Sequence, residues 1–122
     1  MFKVLVVDDD PDMTGLLLKG LSQHNFEVIT SNSSAEALDL AHRLNPDIIT
    51  LDLMMPDIHG WQLCREIRAF SQVPILIISA LVDSSGVYRA IDEGANDYLV
   101  KPAPIAVVVS RLNRLIRQAS LS

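Results

Sequence analysis

Apolar runs rich in Val and Ile alternate with helix-period segments along the whole chain, and this alternation restricts the fold more than any other feature. Phe2 to Val7, Phe26 to Thr30, Ile48 to Leu51, Ile75 to Ile78 and Tyr98 to Val100 read as strands. Their near-continuous hydrophobicity predicts burial on both faces, as in a parallel sheet with helices on each side. Asp10 is placed to cap a helix opened by Pro11 and running through Leu16, Leu17 and Leu21. Ser33 and Glu36 have the spacing of a capping box for a second helix that ends near Asn45 and Pro46. A third helix starts around His59 and Gly60 and carries Leu63, Ile67 and Phe70. The fourth, from about Asp83 to Glu93, has the weakest signal because Ser84, Ser85 and Gly86 lower helix propensity. The fifth begins near Pro104 and is expected to bury Ile105, Val108, Leu112 and Leu115. About five strands and five helices in alternation define an α/β doubly wound sheet, whose sites form at the carboxyl ends of the strands.

At 122 residues and 49% hydrophobic content the chain has enough apolar surface for one core, so residues 1–122 are expected to form a single domain. A net charge of -5 opposes direct binding to a nucleic-acid backbone. No apolar run reaches the roughly 20 residues that span a bilayer, and the start lacks a signal peptide's features. The expected location is the cytoplasm, with neither membrane nor nucleic acid as a direct partner. The single cysteine, Cys64, shares a helical face with Ile67 and is expected to pack in the core. His24, His42 and His59 show no paired ligand spacing and read as surface or capping residues.

Four strand ends carry the chemistry: Asp8-Asp9, Asp52, Ser79 and Lys101-Pro102, all converging on one edge of the sheet. Asp10 beside Pro11 is explained by capping, but Asp8 and Asp9 would then be like charges crowded at a strand end. Such crowding is costly unless a cation neutralises it. Magnesium suits such a site, being a hard ion that keeps waters beside a few carboxylates. Asp52 would face the same ion, with Lys101 near enough to neutralise charge gained on modification. A carboxylate attacking phosphorus gives a labile acyl phosphate, which suits a reversible signal.

These segments line up in order with a known family. Val4-Leu5-Val6-Val7-Asp8-Asp9, Leu51-Asp52-Leu53-Met54-Met55-Pro56 with Gly60, and Gly94-Ala95-Asn96-Asp97-Tyr98-Leu99-Val100-Lys101-Pro102 together resemble a response-regulator receiver domain of two-component signalling. The resemblance covers essentially the whole chain and implies a flavodoxin-like strand order of 2-1-3-4-5. It implies that Asp52 is the phosphoacceptor, charged by a histidine kinase or phosphotransfer protein, and that Asp9 ligates Mg2+ directly. Asp8 would assist through water and the Met54 backbone carbonyl would supply a further ligand. Lys101 would contact the phosphoryl oxygens, Ser79 would donate its hydroxyl to them, and Ala80 would leave the donor room. Tyr98 matches an aromatic that rotates inward as Ser79 moves, carrying the signal to the face made by the fourth helix, last strand and last helix. A downstream protein or effector domain would read that face. The Lys101-Pro102 bond is expected to be cis. On this reading the chain is a signalling switch rather than an enzyme with a separate substrate.

The departures are informative. Ala103 stands where a phenylalanine is frequent, His59 where an aspartate is common, and Asn96 where an acid would add charge to the signalling face. Met54 and Leu81 occupy the variable positions flanking the phosphoryl group, and being apolar they cannot orient an attacking water. Arg111 and Arg114 resemble basic positions used for dimerisation, while Val87 and Val107 replace an opposite-charge pair there. An apolar homodimer contact through that face is the expected consequence. An aspartate-nucleophile phosphohydrolase would want a second acid where Met54 stands, and a flavodoxin-like cofactor binder would not put Asp8-Asp9-Asp10 in its phosphate loop. The remaining alternative is a non-phosphorylated pseudo-receiver that serves only protein–protein interaction.

Overall fold

A computed structural model describes residues 1–80 and 84–121. The chain alternates strictly, β1 (Phe2–Val7), α1 (Pro11–Ser22), β2 (Phe26–Ser31), α2 (Ser34–Leu44), β3 (Ile48–Leu51), α3 (Gly60–Arg68), β4 (Ile75–Ser79), α4 (Ser84–Asp92), β5 (Asp97–Val100) and α5 (Ile105–Ser120). All strand pairs are parallel and their order is β2-β1-β3-β4-β5. Because side chains alternate across a strand, β1 sends Leu5 and Val7 to one face and Val4 and Val6 to the other. The first face is covered by Ala37 and Ala41 of α2, Leu63, Cys64 and Ile67 of α3, and Ala90 of α4. The second receives Leu17 and Leu21 of α1 and Val108, Leu112, Leu115 and Ile116 of α5. Leu63 and Leu112 are wholly buried, and each such side chain contributes about 2 kcal/mol of transfer free energy.

Local signals act as their chemistry predicts. The Asp10 carboxylate accepts from the Asp12 N–H, and the Ser33 hydroxyl accepts from the Glu36 N–H, so both helices begin on side-chain caps. Asn45 ends α2 in the left-handed region at φ 47°. Two glycines matter to the site's surroundings. A Cβ on Gly60 would lie 2.6 Å from the Leu53 Cα and 2.8 Å from the Asp52 carbonyl oxygen, so only glycine lets α3 start against the end of β3. Gly94 has φ +113° and ends the turn before β5.

The expected burial fails at several positions. Phe70 lies beyond the end of α3 and is exposed, its ring against His42 at 4.8 Å. Leu16 is exposed on the outer side of α1, and Ile105 is only half-buried at the first turn of α5. β5 is half-buried to exposed throughout because it is an edge strand with no neighbour beyond it. Asn96 also departs from its expected part. Its Oδ1 accepts from the Ile75 N–H and from Arg68, which places it at the start of β4, at the opposite end from the acidic residues. Asp83, expected to open the fourth helix, lies outside the described residues.

Cys64 is fully buried, and burial, aided by the nearby Glu93 charge and opposed by Arg68, pushes its thiol up to about 12. At pH 8 it should react with an aromatic disulfide reagent only as fast as the protein opens, at least about 100-fold slower than in the denatured chain. Rapid labelling of the native protein, followed spectrophotometrically, would contradict this packing.

Candidate functional site

β1, β3, β4 and β5 all end on the same edge of the sheet; Ser79 is the last residue of β4, and the loops that follow the strands carry Asp8 and Asp9, Asp52, Ala80 and Lys101. Parallel pairing sets the depth of each group: Val7 is level with Leu51, and Ser79 with Val100. Asp52 is 5% exposed and Ser79 fully buried. Asp52 Oδ1 accepts from the Ser79 hydroxyl at 2.7 Å and from the Met54 N–H at 2.9 Å. Asp52 Oδ2 accepts from Lys101 Nζ at 2.9 Å, and the same ammonium donates to Asp8 Oδ2 at 2.7 Å. The Lys101-Pro102 peptide is cis, as expected. Asp9 is exposed, and Asp8, Asp9 and Asp52 each offer a carboxylate oxygen within 4.8 Å of the others. Five of the expected residues are thus brought together. Met54 joins them through its backbone while its side chain is exposed.

The two buried carboxylates respond differently to this setting. Burial opposes ionisation of Asp52, but the bonds from Lys101, Met54 and Ser79 together outweigh it and hold its pKa below the usual value of 3.8. For Asp8 burial dominates, the Asp52 charge adds to it, and its pKa is raised despite the Lys101 contact. Burial works to lower the Lys101 pKa, yet its two carboxylate partners raise it above the ordinary lysine range. One ammonium paired with two of three clustered acids leaves a deficit of positive charge among hard oxygen donors. The residues present fit a small divalent cation such as Mg2+.

Tyr98 projects from β5 with its ring against the core and its hydroxyl buried, without a hydrogen-bond partner among the described residues. Burial, then the Asp52 charge, raises its pKa. Arg111 and Arg114 both donate to Asp97 Oδ2 at 2.9 Å, so the expected dimerisation arginines are paired within the chain. Val107 of α5 is exposed and Val87 of α4 half-buried, and Val100 at the end of β5 and Tyr88 and Ile91 of α4 are also exposed. Leu81 lies outside the described residues. His59 precedes α3 without a side-chain cap bond and stacks on Trp61 at 5.8 Å.

Sequence reasoning missed three supporting residues. Asn32 Nδ2 donates to the Asp8 carbonyl at 2.7 Å and to Thr14 Oγ1 at 3.1 Å. Asp57 accepts from the Ser34 N–H and hydroxyl, and the hydroxyl bond leads in holding its carboxyl below the usual range. Arg68 donates to the carbonyls of Ser71, Val73 and Gly94 and to Asn96 Oδ1, tying the end of α3 to the turn before β5. Only the alternation of polar residues near helix starts hinted at the first two, and nothing in spacing links positions 23 residues apart.

Comparison with known proteins agrees with the fold. The response regulator receiver domain family matches residues 4–113. The chain is 35% identical over 116 residues to the DNA-binding response regulator MtrA of Mycolicibacterium smegmatis, covering 95% of this chain and 51% of that protein. It is 36% identical over 118 residues to the response regulator ArlR of Staphylococcus aureus, covering 97% of this chain and 54% of that one. Among solved structures, the BeF3-activated N-terminal receiver domain of Klebsiella pneumoniae RstA superposes with a TM-score of 0.89 at 33% identity, covering 95% of this chain and 99% of that one. A Francisella response regulator receiver domain gives 0.90 at 30% identity, with 98% and 99% covered. The chain belongs to the response-regulator receiver family of two-component signalling switches. It spans about half the length of the curated relatives it matches. No helix among the described residues is long and apolar enough to cross a membrane.

The raised Asp8 pKa carries a stability consequence. A carboxyl whose folded pKa exceeds its unfolded one contributes stability below the unfolded value, near 3.8, and loses it as pH rises through the folded value. At neutral pH the Asp8 charge therefore works against folding. Without metal, Asp8→Asn should raise Tm by roughly 3 °C at pH 7 and by progressively less toward pH 3. A lowered Tm at pH 7 would mean that the Lys101 pair outweighs burial.

Proposed function

We propose that the chain is a single receiver domain, residues 1–122, that takes a phosphoryl group onto Asp52 from a histidine kinase or phosphotransfer protein. The observation that carries this reading is the environment of Asp52: a buried carboxylate kept ionised by Ser79, Met54 N–H and Lys101, beside two further acids. An Asp52 oxygen attacks phosphorus, the bond to the donor's nitrogen breaks, and the donor imidazole keeps that electron pair and takes up a proton. Asp9, Asp52 and the Met54 carbonyl would hold Mg2+, with Asp8 assisting. Bound there, Mg2+ supplies positive charge to the incoming phosphoryl oxygens. Lys101 follows Asp52 onto a phosphoryl oxygen, relieved of part of its pairing with Asp8, and the Ser79 hydroxyl turns to another. Catalysis is self-directed, so the protein acts as a switch with Asp52 as its only acceptor. A cytoplasmic location follows from that donor chemistry.

Tyr98 connects this event to the α4-β5-α5 face. Its ring lies against the core beside the strand that carries Ser79, and movement of Ser79 alters the room available to it. A downstream protein or attached effector domain reads the altered face, consistent with relatives about twice this chain's length. The same face supports a homodimer through exposed Val107, Val100, Tyr88 and Ile91. Direct contact of this acidic domain with nucleic acid is not part of the proposal.

Intact mass after acetyl phosphate treatment tests the chemistry: a gain of one phosphoryl group, dependent on Mg2+ and absent from Asp52→Asn, is expected. No gain under any condition would favour a pseudo-receiver. Sedimentation should detect a dimer that strengthens with the phosphoryl mimic BeF3 and weakens by about tenfold or more in Val107→Glu, since a charge there would be desolvated at the contact. A monomer at high concentration with and without the mimic would remove the dimer.

A further inference from the structure

One short turn, between β2 and α2, is bonded to both loops that carry the acidic site. On one side the Ser31 carbonyl accepts from the Asp8 N–H at 3.1 Å, and Asn32 Nδ2 donates to the Asp8 carbonyl. On the other, the Ser34 N–H and hydroxyl donate to Asp57 Oδ2 at 3.0 Å and Oδ1 at 2.8 Å. Asp57 belongs to the loop after β3, which begins with Asp52 and Met54. That loop is anchored early by buried Leu53 and Met55 and closed by the Gly60 N–H donating to the Leu53 carbonyl at 3.1 Å. Between these anchors residues 56–59 are exposed or half-buried: Ile58 packs against the core, His59 stacks on Trp61 of α3, and the Asp57 side chain is bonded to Ser34 of α2. Ser34 itself is buried, so the clamp has a fixed end.

We infer that Ser34 and Asp57 are positioning residues for the divalent cation, setting the distance between the loop of Asp8 and Asp9 and the loop of Met54. The inference rests on the reading of Asp8, Asp9 and Asp52 as the cation site. Neither clamp residue is among the three carboxylates that converge there. They act on affinity by removing freedom from a backbone that supplies a ligand, in the way that groups behind metal ligands generally do.

A Mg2+ titration followed by amide chemical shifts, with phosphorylation rates from acetyl phosphate in parallel, separates positioning from mere helix capping. In Asp57→Ala the Mg2+ concentration for half-saturation should rise about fivefold, less than for a residue bonded directly to a ligand. The phosphorylation rate at saturating Mg2+ should stay within about twofold of wild type, because the ligands themselves are intact. Asp57→Asn keeps an acceptor for Ser34 but removes the charge, and should fall nearer wild type than Asp57→Ala. Adding Ser34→Ala to Asp57→Ala should change nothing further, as expected for two halves of one contact. A wild-type protein with no saturable Mg2+ response overturns the cation-site reading and the clamp together. A wild-type response left unchanged in Asp57→Ala overturns the clamp alone, as does an Asn variant as impaired as the Ala variant, which would reduce the effect to charge.

Discussion

The ammonium of Lys101, 2.7 Å from Asp8 and 2.9 Å from Asp52, is the interaction on which the site depends. Both carboxylates are nearly inaccessible, and a buried charge without a partner is among the costliest features a small domain can carry. Lys101 resolves that cost for Asp52 more fully than for Asp8, because Asp52 has two further donors. The asymmetry separates the two acids chemically: one is held ionised, the other remains short of positive charge. A site built this way is tolerable without a divalent cation and better balanced with one.

Bringing a lysine from the end of the chain to acids near its start is a property of the topology. In a parallel sheet every strand presents its carboxyl end to the same edge, so groups 93 residues apart in sequence meet without any long connection. The price of that convergence is a row of loops with little cover, and the chain meets it with side-chain-to-backbone bonds. Asn32 holds the Asp8 carbonyl, Ser34 holds Asp57, and the missing Cβ of Gly60 lets α3 close against Leu53 and the Asp52 carbonyl.

The strands, the helix caps and the acidic cluster were legible in the sequence because each is encoded locally. Val4 to Val7 must be buried on both faces, Asp10 can cap only the helix that starts at Pro11, and Asp8 beside Asp9 crowds like charges at a strand end. What escaped was nonlocal or positional. Nothing local links Ser34 with Asp57, and Asn96 looked like lost surface charge although it caps the start of β4 with Arg68. Leu16 and Phe70 satisfied a hydrophobic pattern, but α1 and α3 bury other sides, and a pattern says which residues could be inside without saying how wide the covered stripe is. Edge position likewise exposed β5, since strand order decides which apolar runs lose a neighbour.

The exposed edge strand adjoins α4. Among the described α4 residues Ala90 is sealed in the core, and the contacts of α4 and its following turn with α3 include the Arg65–Glu93 ion pair and the Arg89 guanidinium 4.0 Å over Trp61. Exposed ion pairs of this kind contribute far less than the aliphatic packing that fixes α3 or α5. Beside them the Tyr98 hydroxyl is buried without a partner among the described residues, a cost of about 1–3 kcal/mol in the conformation seen. In the switch we propose, α4 and Tyr98 on the adjoining strand are the parts that rearrange. Ser79 at the end of β4 is bonded to Asp52 and level with Val100 on β5, so in that proposal a change of charge at Asp52 acts on this face through it, whereas α1 and α5 pack against the other face of the sheet.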